Sequence, residues 1–440
     1  MSQSTIIKNA RLATGDTATV LITDGRITAI ESADKPIEPN TGATVVDAQG
    51  AYLLPAGIDM HVHARQPGGD HKEDYAHLIR AALAGGITTI SVMPNTNPPI
   101  ETVELAQQQV EQVRAIEPHF NLLVNIGASK RDYAELERCL MLDFVPAVKL
   151  YEASTTGTDA TADDAHAKTV LTIARAAGKP VMVHAQDDAM MKRNAAALYA
   201  DSSHKKSASD HCRIQTADVE LSAVERYCRL VDETRARLVV CHISTADAAD
   251  RIARFNQGRS ESDGHIYAET APHYWTLDST YLDRPDGTLY QMNPSLREPA
   301  QRERLERMLA DPSRIDYVAT DHAPHTLSEK QQPYGQAPSG VPGVQTMLPL
   351  LWDSGQRVGL TAERFVALTS SRASAIFGLG DRSIKVGNRA DLVLFDPDAH
   401  WVIRNEDQLS KCGWTPYSGR QVRGRVVMTI LNGCFVFRNS

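Results

Sequence analysis

At 440 residues the chain is long enough for one large barrel with a satellite domain, and 42% hydrophobic with 23% charged residues is an ordinary globular composition without a biased tract. The formal net charge of −8 opposes a polyanionic partner, and the one dense basic run, Arg302-Glu303-Arg304-Leu305-Glu306-Arg307, alternates in sign like a solvated helix face, so no nucleic-acid interface is expected. The six cysteines form no C-x-x-C pair, the segment after Met1 lacks a signal peptide's apolar core, and no apolar run is of bilayer length, which predicts a cytoplasmic chain with reduced thiols.

In chain order, residues 1–54 are predicted as short strands separated by turns. Residues 18–22 and 26–30 flank Thr23-Asp24-Gly25, whose Asp-Gly pair favours a hairpin. Residues 55–383 instead alternate apolar runs with helical segments such as 103–116 and 160–177. The runs fall at 56–60, 87–93, 121–126, 147–150, 180–184, 237–242, 265–269 and 316–320. Continuous apolar strands with helical crossovers imply a parallel sheet buried on both faces, and eight such units fit an α/β fold of the (β/α)8 TIM-barrel type. Residues 384–440 return to strand character at 391–395, 401–403 and 425–431, with Asn432-Gly433 as a further turn. The two β-rich ends are predicted to form one small composite β-sandwich domain.

A barrel of this kind gathers its chemistry at the C-terminal ends of the strands. The run ends carry His61 and His63, then Asn95, Lys149, His184, His242, Glu269 and Asp321. Residues two apart on a strand point to one side, so His61 and His63 can present both imidazoles to one ion, although a lone H-x-H serves equally as partly buried structure. His184 and His242 each follow a β-branched run. Singly they read as core histidines, and jointly with the first pair they supply four neutral nitrogen donors suited to zinc. Asp321 opens Asp321-His-Ala-Pro-His325 and reads either as a helix cap or, among histidines, as a ligand and general base. Lys149 is delivered to the same mouth. An ammonium beside metal ions would be repelled, whereas the carbamate formed from its amine and carbon dioxide would be an anionic ligand able to bridge two metals; the alternative is a lysine whose stem is buried and whose amine reaches solvent.

These residues sit in an ordered set of motifs: Asp59-Met-His-Val-His-Ala-Arg-Gln-Pro-Gly68, Met93-Pro-Asn-Thr-Asn-Pro98, Val148-Lys-Leu-Tyr151, His184-Ala-Gln-Asp187, His242-Ile-Ser-Thr-Ala246, Glu269-Thr-Ala-Pro-His273, Asn293-Pro-Ser-Leu-Arg297 and Asp321-His-Ala-Pro-His325. Together with Gly387-Asn-Arg-Ala-Asp-Leu-Val-Leu-Phe395 they resemble, over nearly the whole chain, the dihydroorotases of the amidohydrolase superfamily. The resemblance implies two divalent metal ions, zinc being the expected element. One would be held by His61, His63, an N6-carboxylated Lys149 and Asp321, and the other by the same carbamate with His184 and His242. Arg65, Asn95 and His325 match positions that hold the substrate's carboxylate, and Asn293 matches a contact to the pyrimidine ring. Gln66, Gln291 and Ser295 depart from the residues usual in that family, which bears on the substrate contacts and on no proposed ligand.

The activity so implied is the reversible closure of N-carbamoyl-L-aspartate to L-dihydroorotate and water, through a hydroxide held between the metals, with Asp321 moving the proton. The resemblance further implies a homodimer, and it allows a partnership with aspartate transcarbamoylase. Two other readings are carried forward: a hydantoinase, dihydropyrimidinase or allantoinase acting on a neutral ring, and a non-catalytic scaffold. Arg65 discriminates among the enzymes. If the first strand continues it shares the side of His63 and reaches the substrate; otherwise it pairs with a structural acid such as Asp70 or Glu73. The Pro-, Gly-, Ser- and Gln-rich segment 326–343 reads as a loop over the substrate or as an inert surface connection.

Overall fold

The computed structural model describes residues 4–439 apart from 33–34, 36, 38–41, 130 and 154–162. The amino-terminal strands are β1 (Ser4–Arg11), β2 (Thr17–Thr23), β3 (Arg26–Ser32), β4 (Thr44–Asp47) and β5 (Tyr52–Pro55). The β2–β3 hairpin closes at Asp24 and Gly25, both with positive φ (48° and 79°), the geometry that suits the twist of paired antiparallel strands.

The chain then runs through parallel strands separated by helices: β6 (Gly57–Val62), β7 (Ile87–Val92), β8 (Asn121–Val124), β9 (Ile126–Gly127), β10 (Val148–Tyr151), β11 (Val181–His184), β12 (Arg237–Val240), β13 (His265–Thr270) and β14 (Tyr317–Val318). All eight predicted apolar runs fall on these strands. β8 and β9 share the third run, interrupted at Asn125, whose N–H donates to Val92 O at 2.9 Å. Hydrogen bonding proceeds β6-β7-β8 and β9-β10-β11-β12-β13-β14, and a parallel bridge between Val62 and His322 closes the ring. The predicted helix at 160–177 is found as Asp164–Ala176, and 160–162 lie outside the described residues.

Strands β15 (Leu392–Val402), β16 (Gln421–Leu431) and β17 (Cys434–Arg438) complete the sheet of the β-rich domain, ordered β17-β16-β15-β5-β1-β2-β3 with β4 on β1. Both chain ends therefore build one sheet. Its own apolar cluster includes Ile7, Val20, Ile27, Leu53, Leu392 and Ile430. Among the described residues no helix is long and apolar enough to cross a membrane.

The barrel interior explains where the chemistry lies. Its apolar filling includes Met93, Ala147, Met182, Tyr267 and Ala319. Side chains alternate along a strand, so the residue two positions after each of these faces the same interior. On the strands those residues are Lys149, His184 and Glu269, whereas Asn95 and Asp321, two positions after Met93 and Ala319, lie past the ends of β7 and β14. The periodicity that buries the barrel core thus presents three polar groups at its mouth, and the turns that follow β7 and β14 add Asn95 and Asp321.

Candidate active site

His61, Lys149, His184 and His242 are buried, as is Asp321, and they line one cavity with His63, Arg65, Asn95, Tyr151, Asn293, Ser339 and Gly340. Asp321 Oδ1 lies 3.1 Å from His63 Nε2 and 3.4 Å from His61 Nε2. Across the cavity, His184 Nδ1 and His242 Nε2 are 3.0 Å apart. The His61 and His242 rings, 5.1 Å between centroids, connect the two groups. Among the described residues Lys149 Nζ finds only a weak acceptor, Cys241 Sγ at 3.0 Å, and it lies 5.3 Å from the centre of the Tyr151 ring. The structure therefore brings nine of the ten sequence-predicted site residues into one cavity wall, and the tenth, His325, sits directly behind it against Arg65.

The surroundings prepare these groups as ligands. Burial pushes His63 down to about 4 and His184 to about 3, and it takes His242 well below the ordinary histidine range, which favours the neutral imidazole, the form that ligates a metal. Burial alone would raise the Asp321 carboxyl, but His61, His63 and His242 outweigh it and hold the group well below the usual carboxylate range. Among the described residues, His242 Nδ1 is buried without a hydrogen-bond partner. Four imidazoles with carboxylate oxygen form a donor set that divalent transition metals accept. His61, His63 and Asp321 by themselves converge closely enough to hold one ion.

A second layer aims the donors. Glu269 Oε1 accepts from His61 Nδ1 at 2.8 Å and from the His242 N–H at 3.0 Å, while its Oε2 accepts from the Tyr317 hydroxyl at 2.6 Å. Asn95 Oδ1 lies 2.6 Å from His63 Nδ1, and Gln186 Oε1 2.8 Å from His184 Nε2. Asp59, pushed up to about 7 by burial, accepts from Thr320 and ties β6 to the segment that bears Asp321. Glu269 stood out in the sequence only as a strand-end residue. Its role depends on a partner 208 positions away, which no local pattern discloses. Tyr151 and Gln186 stand in the sequence only as members of motifs and Ser339 only as part of the segment 326–343, without a role, for the same reason.

Three site residues, Arg65, His242 and Asp321, adopt positive φ of 63°, 39° and 47°, a region that side chains other than glycine rarely occupy. Such backbone persists where surrounding contacts over-determine it, commonly at functional sites. For Arg65 it corrects an expectation. The strand ends at Val62, so Arg65 reaches the cavity through a left-handed turn and not as a continuation of the strand. Neither structural acid holds it. Asp70 accepts from the Gly68 N–H, and Glu73 from Ser410 and Lys411. Arg65 Nε donates to Pro324 O at 2.9 Å, and Nη2 lies 3.0 Å from His325 Nε2. Lys72 Nζ reaches the other His325 nitrogen at 3.1 Å. Burial lowers the guanidinium only to about 10, so it remains a cation. Gln66 faces away, accepting from the Tyr75 N–H at the start of the helix Tyr75–Ala84.

Barrel, terminal sheet and donor ring define a metal-dependent hydrolase, and the chain belongs to the amidohydrolase family, whose model matches residues 52–436. Its relatives narrow the class. The chain is 35% identical to the dihydroorotase of Halobacterium salinarum, covering 98% of this chain and 96% of that protein, and 33% identical to the dihydroorotase of Syntrophobacter fumaroxidans, covering 96% and 92%. Among solved structures, an L-hydantoinase (dihydropyrimidinase) from Arthrobacter aurescens superposes with a TM-score of 0.90 at 24% identity, covering 100% of this chain and 96% of that one. A dihydropyrimidinase from Brevibacillus agri gives 0.89 at 29% identity, covering 100% and 95%. The chain is an enzyme of this family, and the family uses divalent metal.

Proposed function

We propose that the protein is a dihydroorotase that interconverts N-carbamoyl-L-aspartate with L-dihydroorotate and water. The observation that carries this reading is a guanidinium on the cavity wall, beside the donor ring, with no carboxylate partner among the described residues. A planar fork of donors suits a substrate carboxylate, which dihydroorotate has and dihydrouracil or hydantoin lacks. The competing reading, a hydantoinase, is favoured by the likeness of the fold to solved hydantoinases, but that likeness concerns the scaffold and gives Arg65 nothing to bind. The scaffold reading predicts lost ligands, whereas all six donor residues are present.

His61, His63, Lys149 and Asp321 would hold one zinc ion, and His184 and His242 the second, with Lys149 N6-carboxylated to serve both. When bound, the cations would make a hydroxide available near neutral pH and polarise the ring carbonyl. The remaining work falls to the chain. Arg65, Asn95 and His325 hold the carboxylate, and Asn293 meets the ring. In hydrolysis Asp321 accepts the nucleophile's proton and returns it to the leaving nitrogen; in cyclisation a protonated Asp321 starts the cycle. The assembly we propose is a homodimer.

Arg65→Met should weaken turnover of dihydroorotate by about 2–4 kcal/mol, the cost of removing one partner of a hydrogen-bonded charge pair. Metal content should stay constant, and any trace turnover of dihydrouracil should change far less. Assays on dihydroorotate, dihydrouracil, hydantoin and allantoin, with bound metal measured in the same samples, check this; equal losses on every substrate would place Arg65 in the scaffold and remove the support for dihydroorotase. Glu269→Gln tests the second layer. It keeps the size of the side chain but removes the anion that orients His61, and metal affinity should fall by roughly 10-fold or more. Titration of the metal-free variant with zinc measures that change, and an unaltered affinity would refute the role.

A further inference from the structure

Lys330 is fully buried, yet no carboxylate pairs with it among the described residues. Its amine donates to two backbone carbonyls, Gln291 O at 2.8 Å and Pro338 O at 2.9 Å. Burying an amine without a counter-ion is costly, and an apolar side chain of similar length would fill the same space at less expense. Burial and the neighbouring Arg65 accordingly push this amine well below the ordinary lysine range.

What the two bonds accomplish lies on the cavity wall. Gln291 belongs to the segment that carries Asn293, and Pro338 to the segment 326–343 that crosses the site. Lys330 links them, and the link is reinforced by the Gly340 N–H donating to Gln291 O at 2.9 Å and by Gln291 Nε2 donating to Ser339 Oγ at 2.9 Å. The next residues along, Ser339 and Gly340, line the cavity. Ser339 O lies 3.1 Å from His325 Nε2, the nitrogen that also faces Arg65. Gly340, with φ +131°, passes so close that an added Cβ would stand 2.7 Å from Ala323 O and 3.2 Å from His325 Nε2. A second link runs through Tyr334, whose hydroxyl lies 3.4 Å from His211 Nδ1, while His211 Nε2 lies 2.9 Å from Asn293 Oδ1.

We infer that Lys330 is a positioning residue that sets substrate affinity: by pinning the strap 326–343 to the backbone of Gln291, it holds Ser339, His325 and Arg65 in register for the substrate's carboxylate. This rests on the dihydroorotase reading for the identity of the ligand, but the pin itself is independent of it. Lys330→Met should raise KM for dihydroorotate about tenfold, the weight of one hydrogen bond, with kcat and metal content little changed. Chymotryptic cleavage after Tyr334 should accelerate in the same variant, with and without substrate. Gly340→Ala keeps the amine but forces the strap off His325, and it should raise KM in the same way.

An unchanged KM in both variants, or an unchanged rate of cleavage in Lys330→Met, would overturn the inference. So would a joint fall of kcat, metal content and thermal stability, which would make Lys330 part of the general scaffold. A wild-type protein that does not turn over dihydroorotate would instead refute the functional reading, and the cleavage comparison would still decide whether Lys330 pins the strap.

Discussion

Lys149→Ala should lose most of its activity and most of its metal together. The side chain reaches the donor ring buried, with a thiol as its hydrogen-bond acceptor and His61, His63, His184 and His242 lining the same cavity. An ammonium there is poorly satisfied, whereas a carbamate at the same position supplies the anionic oxygens that the histidines lack. A short carboxylic acid in the buffer should restore part of the activity of Lys149→Ala, because it can enter the vacated space and provide those oxygens. Metal analysis and rates with and without such an acid check this directly. Full activity and full metal content in Lys149→Ala would remove the lysine from the site.

Asp321→Asn should lower kcat by roughly 10²-fold or more in both directions, the usual worth of a positioned acid–base group. The change retains size and removes the proton acceptor. The sign of the pH dependence follows from which form each direction needs. Hydrolysis needs the carboxylate, so it should fall as pH drops through the Asp321 titration. Because His61, His63 and His242 hold that carboxyl well below the usual range, the fall should lie on the acid side of an ordinary aspartate, near 3.9. Cyclisation needs the protonated acid, so it should fall as pH rises. Rate profiles in the two directions measure this, and identical profiles would assign the proton transfer to another group.

Both predictions, and that for Arg65, concern residues singled out by position in the sequence before any contact was known. That was possible because of two local regularities. Fully buried parallel strands are short continuous apolar runs, so all eight could be located, and alternation along a strand places Lys149, His184 and Glu269 on the interior face. The hairpin at Asp24-Gly25 was legible for a similar reason, since few residue pairs accept two positive φ values in succession.

What local pattern could not reveal is every feature that depends on partners far apart in the chain. The pairing of Glu269 with His61, the closure of the barrel by Val62 against His322, and the pin from Lys330 to Gln291 join segments separated by 208, 260 and 39 positions. The same holds for Arg65, whose residue type and place in the motif raised the idea of a carboxylate contact. Whether it paired with Asp70 or Glu73, or stood on the cavity wall without a carboxylate partner among the described residues, was decided by a left-handed turn at Arg65 itself and by Ser410 and Lys411 engaging Glu73 from the far end of the chain. Period and residue type, which are local, determined the strands and the candidate donors; the second layer and the strap are three-dimensional neighbourhoods, and only packing of the whole chain selects among the partners that each polar group could take.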